Sequence, residues 1–321
     1  MNDAGVRYAL GIDFGGTSVK MALVDERGTI VARRKFVTKE VNGQSGWLDR
    51  VKREVDDILA KEGAGRTISG AGVGVPGFVD FERGFIHNLT NVPGWTAVPL
   101  GSLIEDKLGL RARIDNDVNA MALGECTFGA GRTYQHAVFV TLGTGVGGGL
   151  LINNKLYRGA HSMAGEIGHV SIDMKGIQSP TGFGGVEQYV GNSRIVEHMV
   201  KAIDSGRPTC MLDLVKGDRS QLSPKVLKEA ADKGDAVALE LLDYITDCLA
   251  AAFASITYVL QPQAFIVGGG VAEEAQLLFK LLRKNVEKRL SPHFARQLEI
   301  KPAELSSDAG VIGCATLALI E

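Results

Sequence analysis

The 321 residues are 45% apolar and 22% charged, the balance of a globular chain long enough for about two domains, which excludes wholesale disorder. Thirty-five basic against thirty-seven acidic side chains leave a net charge of −2, which speaks against an electrostatic nucleic-acid or membrane binder. The N-terminus lacks a secretory pattern, the longest apolar run (248–260) is too short to cross a bilayer, and four scattered cysteines with no CxxC pair predict reduced thiols in the cytoplasm.

Residues 8–14 and 18–25 read as strands joined by Gly15-Gly16-Thr17, and 30–37 as the third strand of a meander. The Arg33-Arg34-Lys35 cluster on that strand reads as a solvated strand end. Trp47, Val51, Val55, Ile58 and Leu59 recur at helical spacing and predict a helix over 46–62. A strand over 68–75 stops at Pro76-Gly77. A helix over 99–108 opens on Pro99, a short strand covers 113–115, and the next helix is capped by Asn116 or Asp117.

The pattern then restarts. A strand over 136–142 runs into a glycine turn at 143–148, and a return strand covers 149–153. Residues 158–230, irregular and polar with two glycine-rich stretches, predict an insertion carrying loops. Val237, Leu241, Ile245, Cys248, Ala252, Ile256 and Val259 mark one face of a long helix over 235–260, stopped by Pro262. A strand over 264–267 ends in Gly268-Gly269-Gly270. Helices over 273–290 and 309–320 follow, with a short strand at 298–300 between them. Strand–glycine turn–strand thus occurs twice, which predicts two α/β halves with a ligand held between them.

Glycine is the compositional outlier, 41 residues against a usual share of about 7%. Backbone N–H groups around Gly15, Gly16 and Thr17 can converge on phosphate oxygens, and Asp13 at the strand end can hold a hydrated Mg²⁺. A plain hairpin turn explains DFGGT equally well. The second run, with Gly143, Gly145, Gly147, Gly148 and Gly149, costs more chain entropy than a hairpin needs, which favours a phosphate loop.

In Asp115-Asn116-Asp117-Val118-Asn119, one polar residue suffices to cap a helix, yet four are present. Asp117 at such a junction can take a proton from a hydroxyl while Asn116 orients it. Glu166, His169 and Glu187 are either a surface network or a set of partners for vicinal sugar hydroxyls. Gly268-Gly269-Gly270 lets a flat group lie on the backbone, or simply makes a tight turn.

In order along the chain, IDFGGTSVK, GVGVPGFVD, NVPGW, DNDVNAMALGE, TLGTGVGGG, AGEIGH and IVGGGV resemble the ROK family of sugar kinases and sugar-responsive repressors. The resemblance implies an α/β, actin-like ATPase (RNase H-like) fold with two α/β domains flanking a cleft. The expected division is a smaller domain over 1–115 and a larger one over 116–321, with the final helix a candidate to pack back on the first. It implies transfer of the γ-phosphate of ATP, carried with Mg²⁺, to a hexose hydroxyl, in a cytoplasmic homodimer.

Carried across, Asp117 matches the catalytic base. Asp13, Gly15, Gly16, Thr17 and Lys20 match the first phosphate motif, Thr144 and Gly145 the second, and Gly269 and Gly270 the adenosine motif. Gly77, Asn91, Asn116, Asp117, Glu166, His169 and Glu187 match the positions that hold the sugar. NVPGW and AGEIGH look most like the glucokinase members, so glucose is the expected sugar. Fructose, mannose, N-acetylglucosamine and N-acetylmannosamine are the alternatives, and polyphosphate is the alternative donor.

The resemblance breaks at the zinc motif of many members. Aligned back from Glu187, its three cysteine positions hold Gln178, Pro180 and Gly185. No structural zinc is therefore expected despite His169, and the conformation of the 174–187 loop is left open. The repressor branch carries a helix-turn-helix before the kinase-like region, for which a phosphate loop starting at residue 11 leaves no room. A silent sugar sensor would not need an intact Asp117 and two phosphate loops.

Overall fold

The computed structural model describes residues 5–89, 92–273 and 275–320. Strands β1 (Arg7–Phe14), β2 (Ser18–Asp25) and β3 (Ile30–Val37) form the predicted meander, followed by helix α1 (Gly43–Lys61) and strand β4 (Thr67–Val75). Three short strands come next, β5 (Gly77–Asp80), β6 (Phe85–Leu89) and β7 (Thr96–Val98). Helix α2 (Leu100–Leu108), strand β8 (Ala112–Asn116) and helix α3 (Asp117–Phe128) complete this stretch. Strands β9 (Ala137–Leu142), β10 (Val146–Ile152) and β11 (Lys155–Leu156) precede a small hairpin of β12 (Gln178–Ser179) and β13 (Gly182–Phe183). Helices α4 (Glu187–Val190), α5 (Asn192–Asp204), α6 (Met211–Leu214), α7 (Pro224–Asp232) and α8 (Ala236–Leu260) follow. The chain closes with β14 (Ala264–Gly268), α9 (Gln276–Arg289), α10 (Pro292–Ala295), β15 (Glu299–Pro302) and α11 (Ala309–Ile320).

Two five-stranded sheets carry the fold, in the orders β3-β2-β1-β4-β8 and β11-β10-β9-β14-β15. The chain divides into two compact units. Unit 1 is 1–133, 149–165 and 307–321; unit 2 is 134–148 and 166–306. Helices α3 and α11 both lie in unit 1. Among the described residues, no helix is long and apolar enough to cross a membrane.

Unit 1 is organised around α11. This helix is buried along almost its whole length, as its uniformly apolar sequence requires. It lies directly on the backbone of β1 and β4. A Cβ on Gly11 would overlap the Val311 carbonyl, and one on Gly72 would overlap the Cys314 carbonyl. Gly11 and Gly72 are register partners in parallel strands, so together they clear a flat floor for the helix. On its other side α11 meets α3 through a second glycine pair: a Cβ on Gly313 would strike the Ala120 carbonyl, and one on Gly124 would lie 2.8 Å from the Ala309 carbonyl. On the opposite face of the sheet, Phe14 stacks on Trp47 at 4.7 Å between centroids and meets the edge of Trp95 at 4.9 Å.

Unit 2 rests on β9, β14 and β15, which run parallel. Phe253 of α8 stacks on Phe265 of β14 at 4.1 Å. Asp235 caps α8, its carboxylate accepting from the Ala238 N–H at 2.9 Å, and Gln261 ends the helix in a left-handed conformation just before Pro262.

Several expectations need correction. β10 begins at Val146, three residues earlier than its composition implied, because a strand can be built of glycines when neighbouring elements supply the packing. Ala122 of α3 occupies the space a Gly149 side chain would need. The stretch 158–230 is largely helical in its second half, with α5 and α7 amphipathic and buried along one face. The β5-β6-β7 sheet was not anticipated, since strands of three to five residues are too short to show a period.

Gly72→Ala is expected to destabilise the protein by about 2–3 kcal/mol, because the helix carbonyl cannot move without displacing the floor. Urea denaturation checks this, and an unchanged midpoint would mean that α11 is not seated as described.

Candidate functional site

In unit 1 a row of residues crosses the sheet. Lys20 of β2 pairs with Asp13 of β1, Asp13 with Gly74 of β4, and Gly74 with Asp115 of β8. The missing side chain of Gly74 makes room between the two carboxylate positions. A Cβ there would lie 2.9 Å from the Cys314 sulfur and 3.3 Å from the Asp117 Cα. Asp13 is buried and abuts the first turn of α11, with its Oδ2 2.7 Å from where a Gly310 Cβ would stand. Burial pushes its carboxyl above the ordinary range, and Lys20, 4.0 Å away, pulls against that. Lys20 also donates to the Ser307 carbonyl at 3.3 Å.

Asp115 and Asp117 have different surroundings. Asp115 is fully buried and spoken for. Its Oδ2 accepts from Arg158 Nε at 2.8 Å, and its Oδ1 accepts from Asn119 Nδ2 at 3.0 Å and from the Asn116 N–H at 2.7 Å. The Arg158 guanidinium in turn lies 3.5 Å from the centroid of the Phe81 ring. Asp117 opens α3 and is half-buried; its Oδ1 accepts from the Val118 N–H at 2.9 Å. Asn116 is the helix cap: its Oδ1 accepts from Val118 and Asn119, while its Nδ2 donates to the Gly77 carbonyl at 3.1 Å. The positive φ of Gly77 and the crowding of its missing side chain by the Asn88 carbonyl require glycine there. The first glycine turn is held by Thr38, which donates through Oγ1 to the Gly15 carbonyl at 2.7 Å and through its N–H to Thr17 at 3.0 Å.

In unit 2 the second glycine turn meets Glu187. The Glu187 Oε2 accepts from the Val146 N–H at 2.9 Å and fills the space a Gly145 side chain would take. The Asn192 N–H at the start of α5 donates to the Gly143 carbonyl at 3.0 Å, and Gly191 packs on the Thr144 carbonyl. Gly269, with φ +89°, lies against the Leu142 carbonyl at the end of β9, which brings it next to this turn. The Cβ positions of Gly143 and Gly270 face open space. His169 ends a single 3₁₀ turn (Ile167–His169), with its Nε2 3.7 Å from the Glu166 Oε2 and its Nδ1 3.1 Å from the Thr181 Oγ1. The Glu166 carboxyl is held above its ordinary range by burial, with His169 opposing and Glu187 adding to the shift.

The expected residues therefore fall into two groups. Unit 1 holds Asp13, Gly15, Gly16, Thr17, Lys20, Gly77, Asn116 and Asp117. Unit 2 holds Thr144, Gly145, Glu166, His169, Glu187, Gly269 and Gly270. Asn91 lies outside the described residues. Residues that the sequence did not single out are Arg158, which neutralises Asp115, and Thr181, which touches His169. A buried ion pair leaves no local pattern, and Thr181 sits in a segment that breaks the family's motif.

The donor set of the 174–187 loop does not fit a structural zinc. Proline and glycine at 180 and 185 offer no side-chain donor, and Gln178 offers only a neutral amide. Among the described residues no three His, Cys, Asp or Glu side chains cluster as metal ligands. The segment instead folds as the β12–β13 hairpin. The Ile172 N–H donates to Gly184 at 2.9 Å, Gly185 bridges to Ser171, and Tyr189 Oη accepts from the Ile177 N–H at 3.2 Å.

The ROK family matches residues 9–321 of this chain. A glucokinase of Thermotoga maritima is 32% identical over 308 residues, covering 96% of each chain. A glucokinase of Halalkalibacterium halodurans is 33% identical over 310 residues, 96% of this chain and 93% of the other. The solved structure of a ROK family glucokinase from Streptomyces griseus, in complex with glucose and AMPPNP, superposes with a TM-score of 0.81 at 30% identity and covers 98% of this chain and 100% of that one. The architecture is that of the ROK sugar kinases, the actin-like ATPase fold, and the similarity supports a sugar kinase.

Asp115→Ala is expected to cost about 3–5 kcal/mol of stability, since it removes the carboxylate that balances the charge of the mostly buried Arg158. Chemical denaturation measures this; a variant as stable as the parent would show that the pair does not hold β8.

Proposed function

The chain belongs to the ROK family, and from that premise we propose that it is a hexokinase that transfers the γ-phosphate of ATP to a sugar hydroxyl, with glucose as the sugar. The observation that carries this reading is the position of Asp117. It stands at the start of α3, half-buried, beside the Gly74 gap and close to the row that holds Asp13, in a chain whose full-length relatives include glucokinases.

In this reading Asp117 accepts the proton of the sugar hydroxyl as that oxygen attacks the γ-phosphorus. Asn116, fixed by its bonds to α3 and Gly77, keeps the carboxylate and the hydroxyl in register. Gly77, Asn91, Glu166, His169 and Glu187 hold the remaining hydroxyls. The turns at Gly15-Gly16-Thr17 and at Thr144-Gly145 offer backbone N–H groups to phosphate oxygens, with Lys20 beside the first. The open faces of Gly143 and Gly270 leave room for the nucleotide. Asp13 fits a hydrated Mg²⁺: its carboxylate is buried with Lys20 4.0 Å away, so a hard cation would offset its desolvation. When bound with ATP, Mg²⁺ neutralises phosphate charge. The enzyme is assigned to the cytoplasm, as a homodimer and free of structural zinc.

Coupled ADP release with Mg·ATP against a panel of hexoses tests the reading. Turnover is expected on glucose, and Asp117→Asn is expected to retain sugar binding while losing about 10²–10⁴ of the rate. Turnover on mannose, fructose or an N-acetylated hexose would move the specificity. Sugar binding without turnover by the parent protein would overturn the kinase assignment for ATP. Metal analysis is expected to find no stoichiometric zinc, with an unchanged melting temperature in EDTA; one tightly held zinc per chain would overturn the metal-free assignment.

A further inference from the structure

An imidazole offers two nitrogens with different roles, and the partner of one fixes what the other can do. His169 ends a short 3₁₀ turn and is a third exposed, so its own packing does not lock the ring. The β12–β13 hairpin supplies the missing constraint. Its turn is Ser179-Pro180-Thr181-Gly182, with Ser179 and Gly182 paired and proline at the position that favours a tight turn. Thr181 leaves this turn with its Oγ1 3.1 Å from the His169 Nδ1.

The Ser179 hydroxyl donates to the Gly182 carbonyl at 3.2 Å and accepts from the Thr181 N–H at 3.3 Å. The Gly182 carbonyl can only accept, so the arrangement that serves it places the Ser179 proton there and has Thr181 donate to Ser179 across the 2.9 Å contact between the two hydroxyls. Thr181 Oγ1 then has only lone pairs to offer the imidazole, and it accepts from an Nδ1–H. The neutral ring consequently presents a bare Nε2 toward Glu166. Nε2 and Glu166 Oε2, 3.7 Å apart, are too far for a mutual hydrogen bond. They form two neighbouring acceptors, the arrangement that takes the O–H groups of a vicinal diol.

We propose that Thr181, backed by Ser179, is the positioning residue that selects the Nδ1–H tautomer of His169 and so aims Nε2 as an acceptor for a sugar hydroxyl. The proposal rests on the reading of Glu166 and His169 as sugar-holding residues, but its first test does not need activity. Nitrogen-15 NMR of the imidazole rings at about pH 8, where an ordinary imidazole is neutral, reads which nitrogen carries the proton. Substitution of His169 by Gln assigns the signal. The parent protein is expected to show protonated Nδ1, Thr181→Val to lose that preference, and Thr181→Ser to restore it.

In the sugar assay, Thr181→Val is expected to raise the sugar KM about 5–10-fold, the loss of roughly one hydrogen bond, with kcat within about twofold and an unchanged melting temperature. Thr181→Ser is expected to match the parent. Protonated Nε2 in the parent, an unmoved signal in Thr181→Val, or a serine variant that behaves like the valine one would each overturn the proposal. If the parent phosphorylates and binds no sugar, the sugar-kinase reading fails, and the NMR result still decides whether Thr181 sets the tautomer.

Discussion

Everything placed in unit 1 depends on how closely α11 approaches the sheet. A helix packed on a sheet through ordinary side chains keeps a layer of methyl and methylene groups between the two backbones. Here Gly11 and Gly72 remove that layer, and the carbonyls of Val311 and Cys314 stand where side chains would otherwise be. Gly313 and Gly124 do the same between α11 and α3. The close approach sets the first turn of α11 against Asp13 and fixes the start of α3 over Gly74. The missing side chains of Gly310 and Gly74 leave the space in which Asp13 and Asp117 stand.

The same economy operates in unit 2 with a different filler. Gly145 gives up its side chain to the Glu187 carboxylate, which braces the turn from behind through the Val146 N–H. Gly269 is pressed against the Leu142 carbonyl. Gly143 and Gly270 alone among these face open space. A glycine-rich run is thus a mixture: some of its members admit neighbouring protein, and others leave backbone available to a ligand.

Charge follows a parallel division. Asp115 and Asp117 stand two residues apart in one motif. Asp115 is buried near the end of β8 and is neutralised by Arg158, which lies over the Phe81 ring, while Asp117 opens a helix and stays half-buried. Strand alternation turns Asp115 into the protein, and the helix start leaves Asp117 at the edge. The hairpin at 178–183 shows the complementary case, in which the Thr181 hydroxyl, linked to that of Ser179, reaches the His169 imidazole.

Much of the framework was legible in the residues themselves. The meander, α1, α8, α11 and the cap at Asn116 follow from periodicity and capping chemistry, which act over a few neighbouring residues. The ordered motifs identified the family and pointed to Asp117, Glu166, His169 and Glu187. The β5-β6-β7 sheet, the helices within 158–230, the seating of α11, the partner of Asp115 and the contact of Thr181 with His169 were decided only in three dimensions. A missing side chain reads the same in a sequence whether its space is taken by a carbonyl, a carboxylate or a ligand, and a buried charge carries no mark of the distant residue that pairs with it.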